Sequence, residues 1–459
     1  MIDNAVKNQP LQIIIFGVTG DLARRKLLPA LYHLIQSNDL PNNTRIIGIT
    51  RHSTTEKDIL EGMTRFIPEA TDPRILRKLA RMITIHRMDV TNAKDYKTLL
   101  SDLRESAESG SQRLYYLSIP AQAFPGIVSN LGLTGHNKKF RTESGLPKLL
   151  VEKPFGHDTE SARTLINLTK EHFDEAQIFR IDHYIAKETA QNILTFRFEN
   201  PLFESIWNAR HVASIKLSAI ETIGIEGRGA FYDQTGALRD IIQSHLLQVL
   251  ALITMERPLN FGSTEIHRSK QRLLDSIMPI ETDEVAPRVT RGQYEGYQAE
   301  ANSIGSSTET FARLDVTINN EQWRKTPITI QAGKGLSDKY TEALVTFRPT
   351  EDAAGPNALI FRLQPNEGIT IELQAKKPGT SNATETVTMD FDYNRSFSDR
   401  QAEAYERVIV DAIRGDQSLF ASSREVMTSW KIIQTILDTW QLNSSDLRMY
   451  PLGTSPDNL

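Results

Sequence analysis

The chain has 459 residues, of which 39% are hydrophobic and 24% are charged, and its formal net charge is −4 at pH 7. This length suits roughly two or three domains with large cores, and the weakly acidic charge argues against a dedicated nucleic-acid binder, which is usually basic. Because the chain has no cysteine, disulfides, thiolate zinc sites and thiol nucleophiles are excluded.

The sequence also lacks the patterns of membrane and secreted proteins. No apolar run approaches the ~18 residues of a membrane-spanning helix. Residues 1–10 do not combine a charged start with an apolar stretch, as a signal peptide does. We therefore expect a cytoplasmic protein that binds neither membrane nor nucleic acid.

The first third of the chain alternates strand and helix patterns. The apolar run at residues 11–17 predicts a buried parallel strand, and residues 25–36 place their large apolar side chains on one side of a helix. Further strands are predicted at 45–51, 83–89, 113–119 and 148–153. Strands that alternate with helices are typical of a doubly wound parallel sheet. We expect a Rossmann-like dinucleotide-binding domain over residues 1–180.

Beyond about residue 180 the pattern changes. Helices are predicted at 187–198, 237–255, 400–414 and 423–439. Seven alternating segments, several joined by Gly, Pro and Asn turns, predict strands at 213–219, 313–318, 328–332, 343–347, 359–363, 369–375 and 386–390. We expect an α+β domain over residues 181–459, built on a large, mainly antiparallel sheet with helices.

A glycine turn follows the first predicted strand. Gly17 and Gly20 allow a tight turn whose backbone N–H groups can approach a pyrophosphate at a helix N-terminus. The spacing is G-x-x-G and not G-x-G-x-x-G, so an ordinary turn before a helix remains an alternative interpretation.

Arg51 follows the second predicted strand, where an NAD-preferring site usually has an acidic residue. A guanidinium suits a 2′-phosphate through several charge-assisted donors. A solvated charge at the end of a strand is also common. Given the glycine turn upstream, we favour NADP as the coenzyme, with NAD possible as a secondary one.

Residues 151–157 read VEKPFGH and place Lys153 at the carboxyl end of a strand, where doubly wound folds bind ligands. The bond before Pro154 could be cis, since X–Pro bonds make this isomer far less costly than other peptides do. The EKP string also occurs in Gfo/Idh-like sugar oxidoreductases. A surface lysine beside a rigid turn remains an alternative.

Residues 180–188 read RIDHYIAKE and follow a strand-like run. A carboxylate, an imidazole, a phenol and an amine fall within six residues, as Asp182, His183, Tyr184 and Lys187. Such a group suits a site that binds a phosphate and orients a base. Neighbouring residues of a strand point to opposite faces, so Asp182 and His183 can share a site only if the strand ends or curls there.

Among the ten histidines, His245 is the strongest candidate for a general base. It lies in a predicted helix beside a polar stripe of Asp240, Ser244 and Gln248 at four-residue spacing. An imidazole with an ordinary pKa of about 6.5 can accept a proton near neutrality, and does so better when a carboxylate fixes its tautomer. The residues alone fit a catalytic base or a hydrogen-bonded core histidine.

Together these motifs resemble the glucose-6-phosphate dehydrogenase family. The matches run in order along nearly the whole chain: GVTGDLARRKL at 17–27, EKPFG at 152–156, RIDHYIAKE at 180–188, residues 228–248, RGQY at 291–294, TETF at 308–311, residues 331–342, LQPNEGI at 363–369 and residues 404–420. There are departures. Ser244 stands where the family generally has asparagine, SIPAQAF at 118–124 lacks a usual pair of prolines, and the tail after Trp430 lacks a Pro-Ile-Leu string.

The resemblance implies oxidation of D-glucose 6-phosphate at C1 to 6-phospho-D-glucono-1,5-lactone, with hydride transfer to NADP and no metal. This is the first step of the pentose phosphate pathway. In the implied roles His245 is the base, Asp182 orients it, and Lys153 lies between sugar and nicotinamide. Family members are usually dimers or tetramers that associate through the large sheet, so we expect a homodimer or homotetramer.

Matching residue by residue also implies two binding sets. The substrate set is His183, Tyr184, Lys187, Glu221, Asp240, Lys334 and Lys339. The coenzyme set is Gly17, Val18, Thr19, Gly20, Asp21, Leu22, Ala23, Arg24, Arg51, Asp89 and Val90, together with Lys153.

Two other functions fit parts of the sequence. A short-chain sugar oxidoreductase has a G-x-x-G-x-x-G loop like residues 17–23, but it usually needs a Tyr-x-x-x-Lys pair, which no helix of the first domain convincingly supplies. A nonenzymatic NADP-binding sensor would tolerate loss of the base. The presence of Asp182, Lys187 and His245 favours an enzyme.

Overall fold

The computed structural model describes residues 4–67, 71–351, 353–397, 400–443 and 445–459. Within these ranges the strands are β1 (Leu11–Phe16), β2 (Thr44–Thr50), β3 (Ile83–Arg87), β4 (Gln112–Leu117), β5 (Lys148–Val151), β6 (Ile178–Ile181), β7 (Val212–Ile220), β8 (Val289–Tyr294), β9 (Phe311–Val316), β10 (Ile328–Gly333), β11 (Tyr340–Phe347), β12 (Ala358–Gln364), β13 (Gly368–Lys376), β14 (Thr384–Asp392), β15 (Phe420–Ala421) and β16 (Arg448–Tyr450).

The α-helices in the same ranges are Asn4–Lys7, Leu28–Gln36, Glu56–Thr64, Pro73–Met82, Ala93–Glu105, Phe124–Leu133, Thr159–His172, Glu188–Glu199, Pro201–Glu204, Gly229–Ala237, Leu247–Thr254, Ser263–Asp275, Val285–Arg288, Tyr297–Glu300, Tyr393–Ser396, Ala404–Arg414 and Ser423–Leu442. Ala23–Leu27 and Leu238–Leu246 are π-helical, and each leads directly into an α-helix. Short 3₁₀ turns occur at Ala121–Ala123, Glu175–Gln177, Thr282–Glu284 and Pro456–Asn458.

The first sheet has the order β15-β6-β5-β4-β1-β2-β3, and β1 to β6 are parallel. Every residue of β1 is buried. Ile13 and Ile15 belong to the core on one face of the sheet, and Ile14 and Phe16 belong to the core on the other. An apolar run without alternation is what a strand covered by helices on both faces requires. The predicted Rossmann-like fold is confirmed.

The second sheet has nine strands in the order β14-β13-β12-β11-β7-β10-β9-β8-β16. Within the part of this second sheet that the structure describes, only the β7–β10 and β8–β16 pairs are parallel. Alternate residues of β11, such as Ala343 and Val345, are buried against the helices on one face. At the far edge, β14 is largely exposed. The prediction of a large, mainly antiparallel sheet is confirmed.

The C-terminal part of the chain returns to the first sheet. β15 pairs antiparallel with β6, and the helix Ala404–Arg414 contributes Val408 and Ile409 to a core of the first sheet. The division into residues 1–180 and 181–459 stays a prediction. None of the described helices has both the length and the apolar composition needed to cross a membrane.

Candidate active site

A cleft of about 1160 Å³ lies beyond the carboxyl ends of β5 and β6. One wall is the EKP segment with Lys153, a second is the end of β6 with Asp182, and a third is the polar side of the helical segment that carries Asp240 and Ser244. The carboxyl ends of parallel strands are where doubly wound folds bind ligands. The cleft is therefore the candidate active site.

Asp182, which lines this cleft, forms a buried pair with His245. His245 Nδ1 lies 2.6 Å from Asp182 Oδ1, and the two residues are 0% and 2% exposed. β6 ends at Ile181, so Asp182 and His183 lie in the turn after the strand and can face one site. Asp182 Oδ1 also accepts the backbone N–H of Tyr184 at 2.9 Å, which fixes the carboxylate.

Electrostatics assign the protons in this pair. Burial raises the pKa of Asp182, but the neighbouring His245, Lys153 and His183 outweigh it and bring the value to about 2. Burial lowers the pKa of His245 and Lys153 adds to this, while Asp182 opposes both. An ionised carboxylate can only accept hydrogen bonds, so His245 Nδ1–H donates to Asp182. Nε2 is then left as the proton-accepting atom.

Lys153 covers that nitrogen. Its Nζ lies 2.6 Å from His245 Nε2 and donates to Ser244 Oγ at 3.0 Å and to the backbone oxygen of Asp240 at 2.9 Å. The Asp240 carboxylate is 3.6 Å from the same ammonium. The bond between Lys153 and Pro154 is cis. Ser244, the departure from the family pattern, thus helps to hold Lys153 beside His245.

Two aromatic rings enclose the His245 imidazole. Tyr184 stacks on it with ring centroids 4.1 Å apart, and His183 meets it edge-on at 4.6 Å. Burial lowers the pKa of His183 well below its ordinary value, and the charges of His245 and Lys153 lower it further. His183 is therefore a neutral donor near pH 7.

Lys187 lies farther along the same turn. Its Nζ donates to Gln364 Oε1 at 2.7 Å and to the backbone oxygen of Leu363 at 3.0 Å. Burial lowers the pKa of this lysine. The RIDHYIAKE and LQPNEGI segments, about 180 residues apart in sequence, therefore meet at the Lys187 ammonium.

Glu221 and Lys334 form an ion pair where β7 and β10 end side by side. The Lys334 ammonium lies 5.7 Å from the centre of the Tyr232 ring. Tyr184 lines a small cavity together with these three residues, so this part of the substrate set is brought together. Lys339 is exposed before β11, and within the described part of the chain it bonds to no other predicted site residue.

The glycine turn lies at the point where the order of the first sheet reverses, between β1 and β4. Gly17 has φ +80°, and a Cβ on it would overlap the backbone carbonyl of Ser118. The Gly20 N–H donates to Gly17 O at 2.9 Å, and the Ala23–Leu27 turn follows. This close approach of bare backbone at a topological switch point fits a dinucleotide pyrophosphate.

Arg51 and Asp89 lie at the ends of β2 and β3 and are both exposed. Asp89 accepts hydrogen bonds from the Thr91 N–H and hydroxyl at 2.9 and 2.8 Å. These bonds, and then the charge of Arg51, lower the pKa of Asp89. The Val90 carbonyl accepts the Tyr96 hydroxyl. The predicted adenosine-side residues thus share one edge of the sheet.

The sequence interpretation missed three contacts. Gln364 binds Lys187, Glu309 caps the helical segment that carries His245, and Glu152 accepts the Tyr116 hydroxyl. Burial raises the pKa of Glu152 to about 7. All three residues fall in matched family segments, which was the available signal. Among the described residues, no group of three or more His, Asp and Glu is placed to hold a metal ion.

Two family models together match almost the whole chain. The model described as glucose-6-phosphate dehydrogenase, NAD binding domain, matches residues 14–192. The model described as glucose-6-phosphate dehydrogenase, C-terminal domain, matches residues 194–458. The chain belongs to the glucose-6-phosphate dehydrogenase family. The family expected from the sequence motifs is thereby confirmed.

Individual members of this family agree along most of their length. The chain is 36% identical to glucose-6-phosphate 1-dehydrogenase of Chlamydia pneumoniae, over 97% of this chain and 93% of the relative. It is 38% identical to the enzyme of the same name from Borreliella burgdorferi, over 96% and 94%.

Solved structures of the family share the fold. A glucose-6-phosphate dehydrogenase in complex with its substrate glucose-6-phosphate superposes with a TM-score of 0.90 at 32% identity, covering 98% of this chain and 95% of that one. The glucose-6-phosphate 1-dehydrogenase from Mycobacterium avium gives a TM-score of 0.84 at 31% identity, with 97% and 95% covered. This chain therefore belongs to a family of oxidoreductases. Its nucleotide-binding domain comes first and is followed by a larger domain built on the second sheet.

Proposed function

We propose that this chain oxidises D-glucose 6-phosphate at C1 to 6-phospho-D-glucono-1,5-lactone, with NADP as coenzyme and without a metal. This is the first step of the pentose phosphate pathway, and we place it in the cytoplasm. The observation that supports this proposal is the buried Asp182–His245 pair, whose aspartate lines the cleft, in a chain of this family.

His245 is proposed as the general base. Removing a hydride from C1 leaves the proton of the C1 hydroxyl to be taken by the protein. His245 Nε2 can take it because Nδ1–H is committed to Asp182, whose carboxylate stabilises the resulting imidazolium. Lys153 now contacts Nε2, so the ammonium must give this position to the C1 hydroxyl when substrate binds.

The proposed coenzyme site uses the residues of the first sheet. Gly17 to Arg24 would hold the pyrophosphate, Arg51 the 2′-phosphate, and Asp89 with Val90 the adenosine. The close approach at Gly17 and the exposed Arg51 guanidinium fit these groups. Bound NADP would supply the hydride acceptor.

The proposed phosphate site is His183, Tyr184 and Lys187, and the sugar hydroxyls are assigned to Glu221, Asp240 and Lys334. Lys187 is partly buried and already bridges two chain segments, which suits an anchored cation. Lys339 is exposed, so a role for it requires the bound sugar to extend toward β11.

We further propose division at residue 180 into coenzyme and substrate domains, and assembly into a homodimer or homotetramer through the large sheet. The exposed apolar side chains of β14, Val387 at 37% and Met389 at 60%, support an interface there.

The function is tested by following nicotinamide absorbance with glucose 6-phosphate and with unphosphorylated glucose, each with NADP and NAD. We expect strong preference for the phosphorylated sugar and for NADP. His245→Asn should lower turnover at least ~100-fold, the scale of a missing general base. Equal rates for the native chain and this variant would remove His245 from its role.

A further inference from the structure

His245 lies in a helical segment made of the π-helical Leu238–Leu246 and the α-helix Leu247–Thr254. Three side chains from other elements hold the C-terminal end of this segment. The Arg197 guanidinium donates to the backbone oxygens of Leu252 and Met255 at 2.6 and 2.7 Å. The indole N–H groups of Trp207 and Trp323 donate to Ile253 O and Thr254 O at 2.7 and 2.6 Å. The last carbonyls of Leu247–Thr254 are therefore fixed, and what remains to be set is where the segment begins.

Its beginning is set by a buried carboxylate. Glu309 is 3% exposed, and its Oε1 accepts the backbone N–H of Leu238, the first residue of the π-helical turn, at 3.0 Å. The backbone oxygen of the same glutamate accepts the Ala237 N–H at 3.1 Å. The first N–H groups of a helix lack partners within it, and a negative charge is favourable at that end.

The residue before this turn is shaped to admit Glu309. Gly236 has φ 65° and ψ 175°, a backbone conformation that only glycine adopts readily. A Cβ on Gly236 would lie within 2.6 Å of Glu309 Oε2. The glycine thus clears the space that the carboxylate occupies.

The loop that carries Glu309 is itself anchored. The Thr308 hydroxyl donates to the backbone oxygen of Asp233 at 2.7 Å. Burial raises the pKa of Glu309, while the Leu238 N–H and the charges of Arg239 and Arg291 lower it. Burial raises the pKa of Tyr232 and of Tyr297, and the charge of Glu309 adds to both shifts.

We infer that Glu309 is a positioning residue that fixes the start of the turn bearing Asp240, Ser244 and His245. Leu238 lies two residues before Asp240, whose backbone oxygen accepts both Lys153 and the Ser244 hydroxyl. A displaced first turn therefore moves the atoms that hold Lys153 against His245. The kinetic part of this inference rests on the proposed function.

Two substitutions of Glu309 separate the effect of the position of its carboxyl group from the effect of its charge. Glu309→Asp keeps the carboxylate but withdraws it from the Leu238 N–H, whereas Glu309→Gln keeps an acceptor oxygen in place and removes the charge. Gly236→Ala displaces Glu309 from the other side. Gly126→Ala is the matched control, because a Cβ on Gly126 meets no atom within 4 Å.

We expect Glu309→Asp and Gly236→Ala to lower kcat by ~10- to 100-fold, on the scale of a small misplacement of catalytic groups. The KM for NADP should change less than kcat, because residues 17–24 follow β1 of the first sheet and, of the proposed coenzyme set, Lys153 is the residue bonded to the displaced turn. Glu309→Gln should keep kcat within about threefold, and Gly126→Ala should match the native chain. A Glu309→Gln variant as impaired as Glu309→Asp, or an unimpaired Glu309→Asp, would overturn the inference.

A second readout does not depend on turnover. In ¹⁵N-histidine-labelled protein, the His245 Nδ1–H bonded to Asp182 should give a downfield proton resonance, identified by its loss in His245→Asn. We expect this resonance to persist in Glu309→Gln and to shift in Glu309→Asp and Gly236→Ala. If Glu309→Asp does not fold, loss of the resonance in Glu309→Gln refutes the inference. If the native chain does not oxidise glucose 6-phosphate but the resonances behave as expected, only the proposed function fails.

Discussion

Asp182 and His245 are almost completely shielded from solvent, whereas Arg51 and Asp89, at the ends of β2 and β3, are exposed. The first pair lies between the two sheets and is enclosed by Tyr184 and His183. The second pair lies on one edge of the first sheet. We propose a catalytic role for the first pair and a coenzyme-binding role for the second, and their environments differ in polarity and in access to water.

This contrast has an energetic consequence. Away from water, the Asp182–His245 interaction is weakly screened, and its geometry exists before any ligand arrives. Exposed charges such as Arg51 are screened by salt and contribute less each. Substitutions in the reaction centre should therefore act on turnover and strongly, and those at the sheet edge on binding and moderately.

The largest effect should come from Asp182→Asn. An amide cannot supply the charge that stabilises the imidazolium or hold the same tautomer, so kcat should fall on the order of 1000-fold. The matched control is Asp411→Asn, at another aspartate that is 2% exposed but lies in the helix Ala404–Arg414. Stopped-flow or steady-state turnover should leave this control near the native value. Comparable losses in both would mean that burial alone, and not the pairing with His245, explains the sensitivity.

Lys187→Ala should come next, with an increase in KM for glucose 6-phosphate of ~10-fold or more and a smaller change in kcat, because a charge-assisted contact to the phosphate is lost. Lys97→Ala, at an exposed lysine of the helix Ala93–Glu105, serves as control. A change confined to kcat would contradict phosphate anchoring.

Arg51→Ala should raise the KM for NADP by ~5- to 10-fold and leave that for NAD nearly unchanged, since only NADP carries the 2′-phosphate. The difference in the KM for NADP between Arg51→Ala and the native chain should be smaller at high salt, because the contact is exposed and therefore screened. Arg141→Ala removes an exposed arginine elsewhere and should leave both constants near the native values. Equal effects on the two coenzymes would assign Arg51 another role.

The smallest effect concerns pH. Burial lowers the pKa of His245, and a base with a lowered pKa stays neutral to lower pH. The acidic limb of kcat/KM should therefore lie below the ordinary histidine value of about 6.5. Asp182, with a pKa of about 2, stays ionised throughout. A limb at or above about 7 in the pH–rate profile would show that His245 is not the titrating base.

The local hydrophobic pattern of the sequence was sufficient to predict much of the fold. The unbroken apolar run of β1 marked a strand covered on both faces, and the alternation along β11 marked one covered on a single face. The predicted boundaries of the helices were less accurate. The helix predicted at 400–414 begins at Ala404, and the one predicted at 237–255 starts as a π-helical turn.

Prediction of the candidate site depended on several motifs that occur in the family's order along the chain, because the single residues left the role of His245 open. The structure brings Asp182 and His245 into contact across 63 positions of sequence. It also resolves how Asp182 and His183 share a site, since β6 ends before them. Lys339 belonged to a matched motif yet lies exposed, so a motif identifies a residue without placing its side chain.

The amino-acid sequence by itself determined the periodicity of the strands and helices, the absence of thiol chemistry and the membership of the family, because these depend on local composition and order. Tertiary structure alone decided that β15 returns to β6, that Gln364 meets Lys187 and that Glu309 caps the turn before His245. Such contacts join segments distant in the chain, and only the packing of both sheets sets their distances.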